Sequence, residues 1–286
     1  MIPRNKIVLL VLSLMFSVLS FSRTHSRDSI ETCSQCVNIK IISKDIDSDR
    51  VYLANNSEYC PVTLKLQYQG HMREKMGKEF DQILLPSRSE ENELVTIKDF
   101  TQDDRDKMTI SYIFGDVLQE EYDKDFVYKL PYPIDAEHEV IQSIDGGYLK
   151  SLDHAIDIKM PLLSQVCAAR SGTVVMVVSD KIANCSTIMC PDLGNFILIY
   201  HEDGSFAIYG HLFKNSSQVK VGDKIDAGQV IAKSGNTGWS TGMQLHFQVF
   251  LSDFDRTGKT IRPKFSLSPN SEAVYLEYNQ YYKRLK

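Results

Sequence analysis

From Gly242 to Val249 the chain reads GMQLHFQV. Leu245, Phe247 and Val249 fall on one side of an extended chain, and Gln244, His246 and Gln248 fall on the other. A period of two is that of a strand with one buried face. The polar side of this strand carries a lone histidine between two glutamines. Similar alternation recurs upstream. Before residue 130 the runs VNIKIIS, VYLANNS, PVTLKLQY, ELVTIKDF, MTISYIFGD and FVYKLPY are separated by polar turns. They predict a small antiparallel sandwich. The charge run KDFTQDDRDK, 98–107, reads as a solvated loop.

The stretch LPYPIDAEHEVIQSIDGG holds Pro131 and Pro133 and closes on Gly146 and Gly147, which reads as a linker. A second β-rich unit follows, with GTVVMVV, NFILIYHEDGSFAIYGHL and KVGDKIDAGQVIA. Asp203–Gly204 between two alternating runs marks a hairpin. A short helix is expected after Ser271. The fold class is all-β. The expected layout is a signal peptide over 1–22, an N-terminal β domain over 31–130, a linker over 131–148, a second β domain over 149–265 and a C-terminal tail over 266–286.

Composition narrows the function. With 43% apolar and 24% charged residues in 286, the chain is globular. A net charge of −5 gives no basis for a nucleic-acid partner. Arg4 and Lys6 precede an uncharged apolar run from Ile7 to Phe21, and Ser20 and Ser22 suit a signal peptidase. The run is short for a membrane span, so an exported chain with no stable span after cleavage is expected, with an uncleaved anchor as the rival. The 6 cysteines, Cys33, Cys36, Cys60, Cys167, Cys185 and Cys190, all follow that segment, and an even count in an exported chain suggests disulfides. Cys185 and Cys190 could close a local loop. Cys33 and Cys36 form a CxxC, with Cys60 and Cys167 as partners for either half. Spacing leaves the connectivity open.

Metal-ligating side chains of the second unit gather in three places: Asp153, His154 and Asp157 in DHAIDIKMP, His211 in YGHL, and His246 in MQLHFQV. Carboxylates and imidazoles are ligands zinc accepts, and a hydrolytic site needs three of them and an open position for water.

These segments carry a resemblance. AIDIKMP, VCAARSGTVVMV, GNFILIYHEDGSFAIYGHL, VKVGDKIDAGQVIAKSGNTGWSTG and LHFQV, in that order, resemble the LytM/lysostaphin-type zinc metallopeptidases, peptidase family M23. The resemblance covers Asp153 to Phe250. It implies an antiparallel sheet with a groove for extended peptide, in the periplasm or extracellular envelope. The substrates implied are peptidoglycan peptide crosslinks, or a peptide of another envelope protein. In that family one zinc is held by a histidine, an aspartate and the second histidine of an HxH pair. The first histidine of the pair and a Y-x-H-L histidine act on the water and the oxyanion. Asp157 matches the aspartate, His246 the second histidine of the pair and His211 the Y-x-H-L histidine.

Two positions depart from the pattern. Gln244 stands where the first histidine of the pair belongs, and an amide cannot take a proton at neutral pH. Asp153 stands where the first ligand belongs. His154 is adjacent but one residue out of strand phase, and His138 serves only if the linker folds back. Three readings stay open: a zinc endopeptidase using Asp153, Asp157, His246 and His211; a degenerate member that binds peptides or regulates without cutting; and a structural envelope protein. Trp239 either stacks on ligand or covers core, and Tyr209 either lines the groove or belongs to the wall of the sheet. His201 is expected to be exposed, and His25 and His71 receive no role.

Overall fold

The structure is a computed structural model that describes residues 38–105, 107–144, 146–147, 154–185, 194–254 and 259–286. The expected signal segment, His25, Cys33, Cys36, Asp153 and Cys190 lie outside those residues, as does the side chain of Cys185. The chain falls into two units that meet between Leu118 and Gln119.

The first unit holds β1 (Ile39–Ile46), β2 (Asp49–Asn56), β3 (Val62–Tyr68), α1 (His71–Met76), β4 (Phe80–Leu85), β5 (Ser89–Ile97) and β6 (Met108–Phe114). They make two three-stranded antiparallel sheets, ordered β1-β2-β5 and β4-β3-β6. On β3 the alternation reads through directly. Val62, Leu64, Leu66 and Tyr68 are buried, while Gln67 is exposed and Lys65 half-buried. Both β4 and the six-residue α1 went unread, since α1 is too short for a helical period to show.

The charge run at 98–107 is not simply a solvated loop. It contains a 3₁₀ turn, Gln102–Asp104, and Asp104 is buried. Its carboxylate accepts from His71 Nε2 at 2.8 Å, Lys75 Nζ at 2.9 Å and the Thr101 N–H at 2.7 Å. Burial alone would raise the Asp104 pKa, but these donors hold it well below the usual carboxylate range. His71 thus ties α1 to this turn.

The second unit holds β7 (Val127–Lys129), β8 (Glu137–Ser143), β9 (Gly146–Gly147), β10 (Ile156–Lys159), β11 (Gln165–Cys167), β12 (Gly172–Val178), β13 (Asn184–Cys185), β14 (Phe196–Tyr200) and β15 (Phe206–Gly210). It continues with β16 (Lys224–Ile225), β17 (Val230–Lys233), β18 (Gly238–Trp239), β19 (Gln244–Phe250), β20 (Thr260–Ile261), β21 (Lys264–Ser266) and β22 (Tyr281–Lys283). A ten-stranded antiparallel sheet runs β16-β12-β14-β15-β19-β10-β8-β22, with β20 paired to β19 and β9 to β8. Its apolar face carries Ile158, Ala207, Tyr209, Leu245, Phe247 and Val249, all fully buried. Phe247 centres this core, with ring centroids 5.2 Å from Tyr209, 5.9 Å from Phe265 and 6.4 Å from Tyr128.

Two expectations fail in this unit. The segment read as a linker carries β8, which hydrogen-bonds to β10 on one side and β22 on the other. Its two prolines precede the strand, where no ladder donor is needed, and Val140 is buried. The C-terminal helix is absent. Val274 pairs instead with Phe265, and β22 lies along β8. The Tyr132 hydroxyl donates to the Tyr282 carbonyl at 2.7 Å, and Arg284 Nη1 donates to the Tyr132 carbonyl at 2.6 Å. An unpaired sheet edge outweighs the weak local helix preference of this stretch.

Cys60 and Cys167, expected as disulfide partners, are free and buried thiols. Burial pushes both up from the ordinary thiol value. Among the described residues no helix is long and apolar enough to cross a membrane.

Candidate functional site

The strand that opened the sequence reading also builds the site. In β19 the side chains of Gln244, His246 and Gln248 share one face, opposite Leu245, Phe247 and Val249. Register then places partners across that face. His246 lies opposite Asp157 on β10 and opposite Gly210 on β15, while Gln244 lies opposite Lys159. His246 Nδ1 is 2.8 Å from Asp157 Oδ1. A carboxylate only accepts, so this nitrogen donates. Gly210 has a steric reason: a Cβ there would stand 3.2 Å from the Cβ of His246.

His211 follows β15 directly. Its backbone is left-handed, φ 58°, a strained setting for a residue with a side chain. Its ring stands edge-on to that of His246, with centroids 5.7 Å apart. Nδ1 lies 2.8 Å from the Thr237 carbonyl, so the proton sits on Nδ1. Burial, and after it the neighbouring His246, push His211 down to about 4. At neutral pH it is an uncharged imidazole with Nε2 as an acceptor.

Asp157, His246 and His211 are therefore brought together, and Gln244 sits on the same face, 5% exposed. Asp153 lies outside the described residues. Among the described residues no three His, Cys, Asp or Glu side chains are grouped to hold a metal ion. Among the described residues Asp157 and His246 supply two donors, where a hydrolytic zinc takes three. With Gln244 beside them, the face offers an amide, a neutral imidazole and an Asp–His pair. Asp157, His211, Gln244 and His246 are all buried, and the Gln244 amide takes no proton at neutral pH.

The other sequence candidates go elsewhere. Tyr209 is not in the groove. It faces Phe247 in the core, is fully buried, and its hydroxyl accepts from the Ala169 N–H at 2.8 Å. His154 places Nδ1 3.1 Å from both the carbonyl and the hydroxyl of Thr260. His138 stands on β8 edge-on to Tyr132, with centroids 4.7 Å apart. Trp239 is half-buried on β18, whose backbone pairs with β13.

His201 is not exposed. It is fully buried, with Nδ1 donating to the Ser171 carbonyl at 2.9 Å and Nε2 without a partner. Burial pushes it down to about 4. Beside it Arg170 donates to Asp203 at 2.7 Å and lies 3.8 Å over the Phe126 ring. The Asp-Gly turn signalled the hairpin, with Gly204 at φ 82°, but nothing local signalled an arginine thirty residues upstream.

The family model for Peptidase family M23 matches residues 151–263. The chain is 29% identical over 143 residues to the peptidoglycan DD-endopeptidase ShyA of Vibrio cholerae serotype O1, covering 48% of this chain and 29% of that one. It is 33% identical over 128 residues to lysostaphin of Staphylococcus simulans, covering 44% and 21%. The chain thus spans less than a third of either relative's length. The solved catalytic domain of that lysostaphin aligns at 30% identity over 49% of this chain and 86% of its own, with a TM-score of 0.30. The unit that carries Asp157, His211 and His246 is thus the part of the chain that matches peptidase family M23.

Proposed function

We propose that this chain is an exported family member that binds extended peptidoglycan peptides, or a peptide segment of another envelope protein, on the polar face of β19 and cuts them poorly or not at all. One observation carries the reading. Gln244 occupies, buried and in register beside Lys159, the position two residues from His246 where the family's proton acceptor belongs. The amide retains a donor and an acceptor for a peptide backbone, and a row of polar side chains suits an extended ligand. Export rests on Arg4, Lys6 and the apolar run that follows them.

A second reading, an active zinc endopeptidase using Asp153, Asp157, His246 and His211, is favoured by the Asp157–His246 pair lying beside His211. When bound, zinc would polarise a carbonyl and activate a water. The test is zinc stoichiometry together with calorimetry against peptidoglycan stem peptides, on the purified chain and on Asp157→Ala and His246→Ala. Peptide binding without turnover, at well below one zinc per chain, is the expected result. Near-equimolar zinc lost in both variants, accompanied by peptide cleavage, would establish the endopeptidase instead.

A further inference from the structure

His211 is strained, yet its place is defined by more contacts than its own ring makes. The hydroxyl of Thr237 donates to the Leu212 carbonyl at 2.9 Å and accepts from the Asn195 N–H at 2.9 Å. The Asn195 side chain, fully buried, donates to that same Leu212 carbonyl at 3.1 Å and to the Lys181 carbonyl at 2.9 Å. Its oxygen accepts from the Lys181 N–H at 2.9 Å. The Leu212 N–H in turn donates to the Asn195 carbonyl at 3.1 Å. On the other side Gly235 passes so close that a Cβ there would stand 2.6 Å from the Leu212 carbonyl carbon and 2.8 Å from the His211 carbonyl oxygen. Four stretches of chain, near 181, 195, 212 and 237, are therefore knotted at the residue after His211.

A non-glycine residue persists in a left-handed backbone when its surroundings over-determine it. Here they do, and the same Thr237 whose hydroxyl pins Leu212 offers its carbonyl to His211 Nδ1. We infer that Thr237 and Asn195 are positioning residues: together they set His211 in one place and one tautomer, Nδ1 protonated and Nε2 bare toward the polar face. Neither touches the Asp157–His246 pair in this network, so the brace is independent of any metal. Nε2 is then a fixed acceptor for a peptide N–H or a water. The inference builds on the reading of this face as the peptide site, yet the tautomer can be observed with no peptide present.

The experiment is long-range proton–nitrogen NMR of the 15N-labelled chain at neutral pH, which distinguishes the two ring nitrogens of each histidine. The unaltered chain is expected to show His211 as a single Nδ1-protonated tautomer. Thr237→Val keeps the shape and loses the hydroxyl, and is expected to give a mixture. Thr237→Ser is expected to restore the single form. Asn195→Asp removes both amide donors and serves if Thr237→Val does not fold, with the same mixture expected. Tyr132→Phe, which loses only the bond to Tyr282 far along the chain, controls for general loosening and is expected to leave His211 unchanged. A single tautomer surviving in Thr237→Val, a mixture in Thr237→Ser, or a mixture in Tyr132→Phe would each overturn the inference. Peptide affinity is read separately and should fall about tenfold in Thr237→Val, the cost of one misplaced hydrogen bond. If the tautomers behave as expected but the unaltered chain binds no peptide, the brace stands and the proposed function fails.

Discussion

The hairpin of β14 and β15 carries a buried histidine at each end, and the two sit in different surroundings. His201 sits at the turn and His211 at the open end. Each donates from Nδ1 to a carbonyl, of Ser171 and Thr237 respectively, and each is pushed down to about 4 by burial. By those measures they are alike. They differ in what surrounds the other nitrogen. Around His201 are Arg170, Asp203 and the ring of Tyr128, a clamp that fixes the turn and leaves Nε2 with no partner. Around His211 are His246 and, across the strand, Asp157. Burial and a lowered pKa therefore do not tell the two histidines apart; the groups around each ring do.

The largest expected effect tests the open end. Restoring both departed positions, Asp153→His with Gln244→His, should raise zinc-dependent cleavage of a wall peptide by about 10²–10⁴-fold, the usual contribution of an acid–base group. Chromatography of the released fragments measures it, and Gln244→His alone should stay near the unaltered chain.

At the turn, Asp203→Ala strands the Arg170 guanidinium, whose side chain is 9% exposed. Removing one partner of a buried pair should cost about 3 kcal/mol in urea denaturation. Peptide affinity should stay within about twofold, because the clamp lies at the far end of the hairpin.

Acid compares the two ends directly. Both histidines titrate near 4 folded against an ordinary 6.5, so between those values the unfolded chain binds more protons. Stability is full above pH 6.5 and falls as pH drops toward 4. The loss is on the order of 3 kcal/mol for each histidine. His201→Phe and His211→Phe should each flatten the slope in denaturation midpoints measured from pH ~4.5 to ~7.5, with half-buried His138 supplying part of what remains. An unchanged slope in either would show that histidine to be charged in the fold.

The smallest effect concerns Gly210. Gly210→Ala presses a methyl against the Cβ of His246, and overpacking of this kind costs about 1 kcal/mol, to be read as weaker peptide binding.

Much of the site was legible because a strand writes its two faces with period two. Gln244 and His246 could be paired on one face from sequence, and the Asp203–Gly204 turn placed the hairpin that delivers His211. What stayed hidden depends on distant partners. Asp104 looked solvent-borne within its charge run until His71 and Lys75 came to it from α1. His201 looked exposed beside Glu202 and Asp203 until Arg170 neutralised the turn. β8 looked like a linker because its ladder partners, β10 and β22, arrive later in the chain. Tyr209 shares the phase of His211 in the sequence, yet faces Phe247 in the core, because the left-handed backbone at His211, φ 58°, breaks the alternation.

That same period has an evolutionary consequence. In β19 the residues that hold the sheet together and the residues of the polar face alternate without sharing a side chain. A change in packing falls on Leu245, Phe247 and Val249; a change in polar chemistry falls on Gln244, His246 and Gln248. A lineage that stops needing a cut can exchange a histidine for a glutamine on one face while the other keeps its packing. On the function proposed above, such a strand would let a hydrolase drift into a receptor one residue at a time, with its core packing intact at every step.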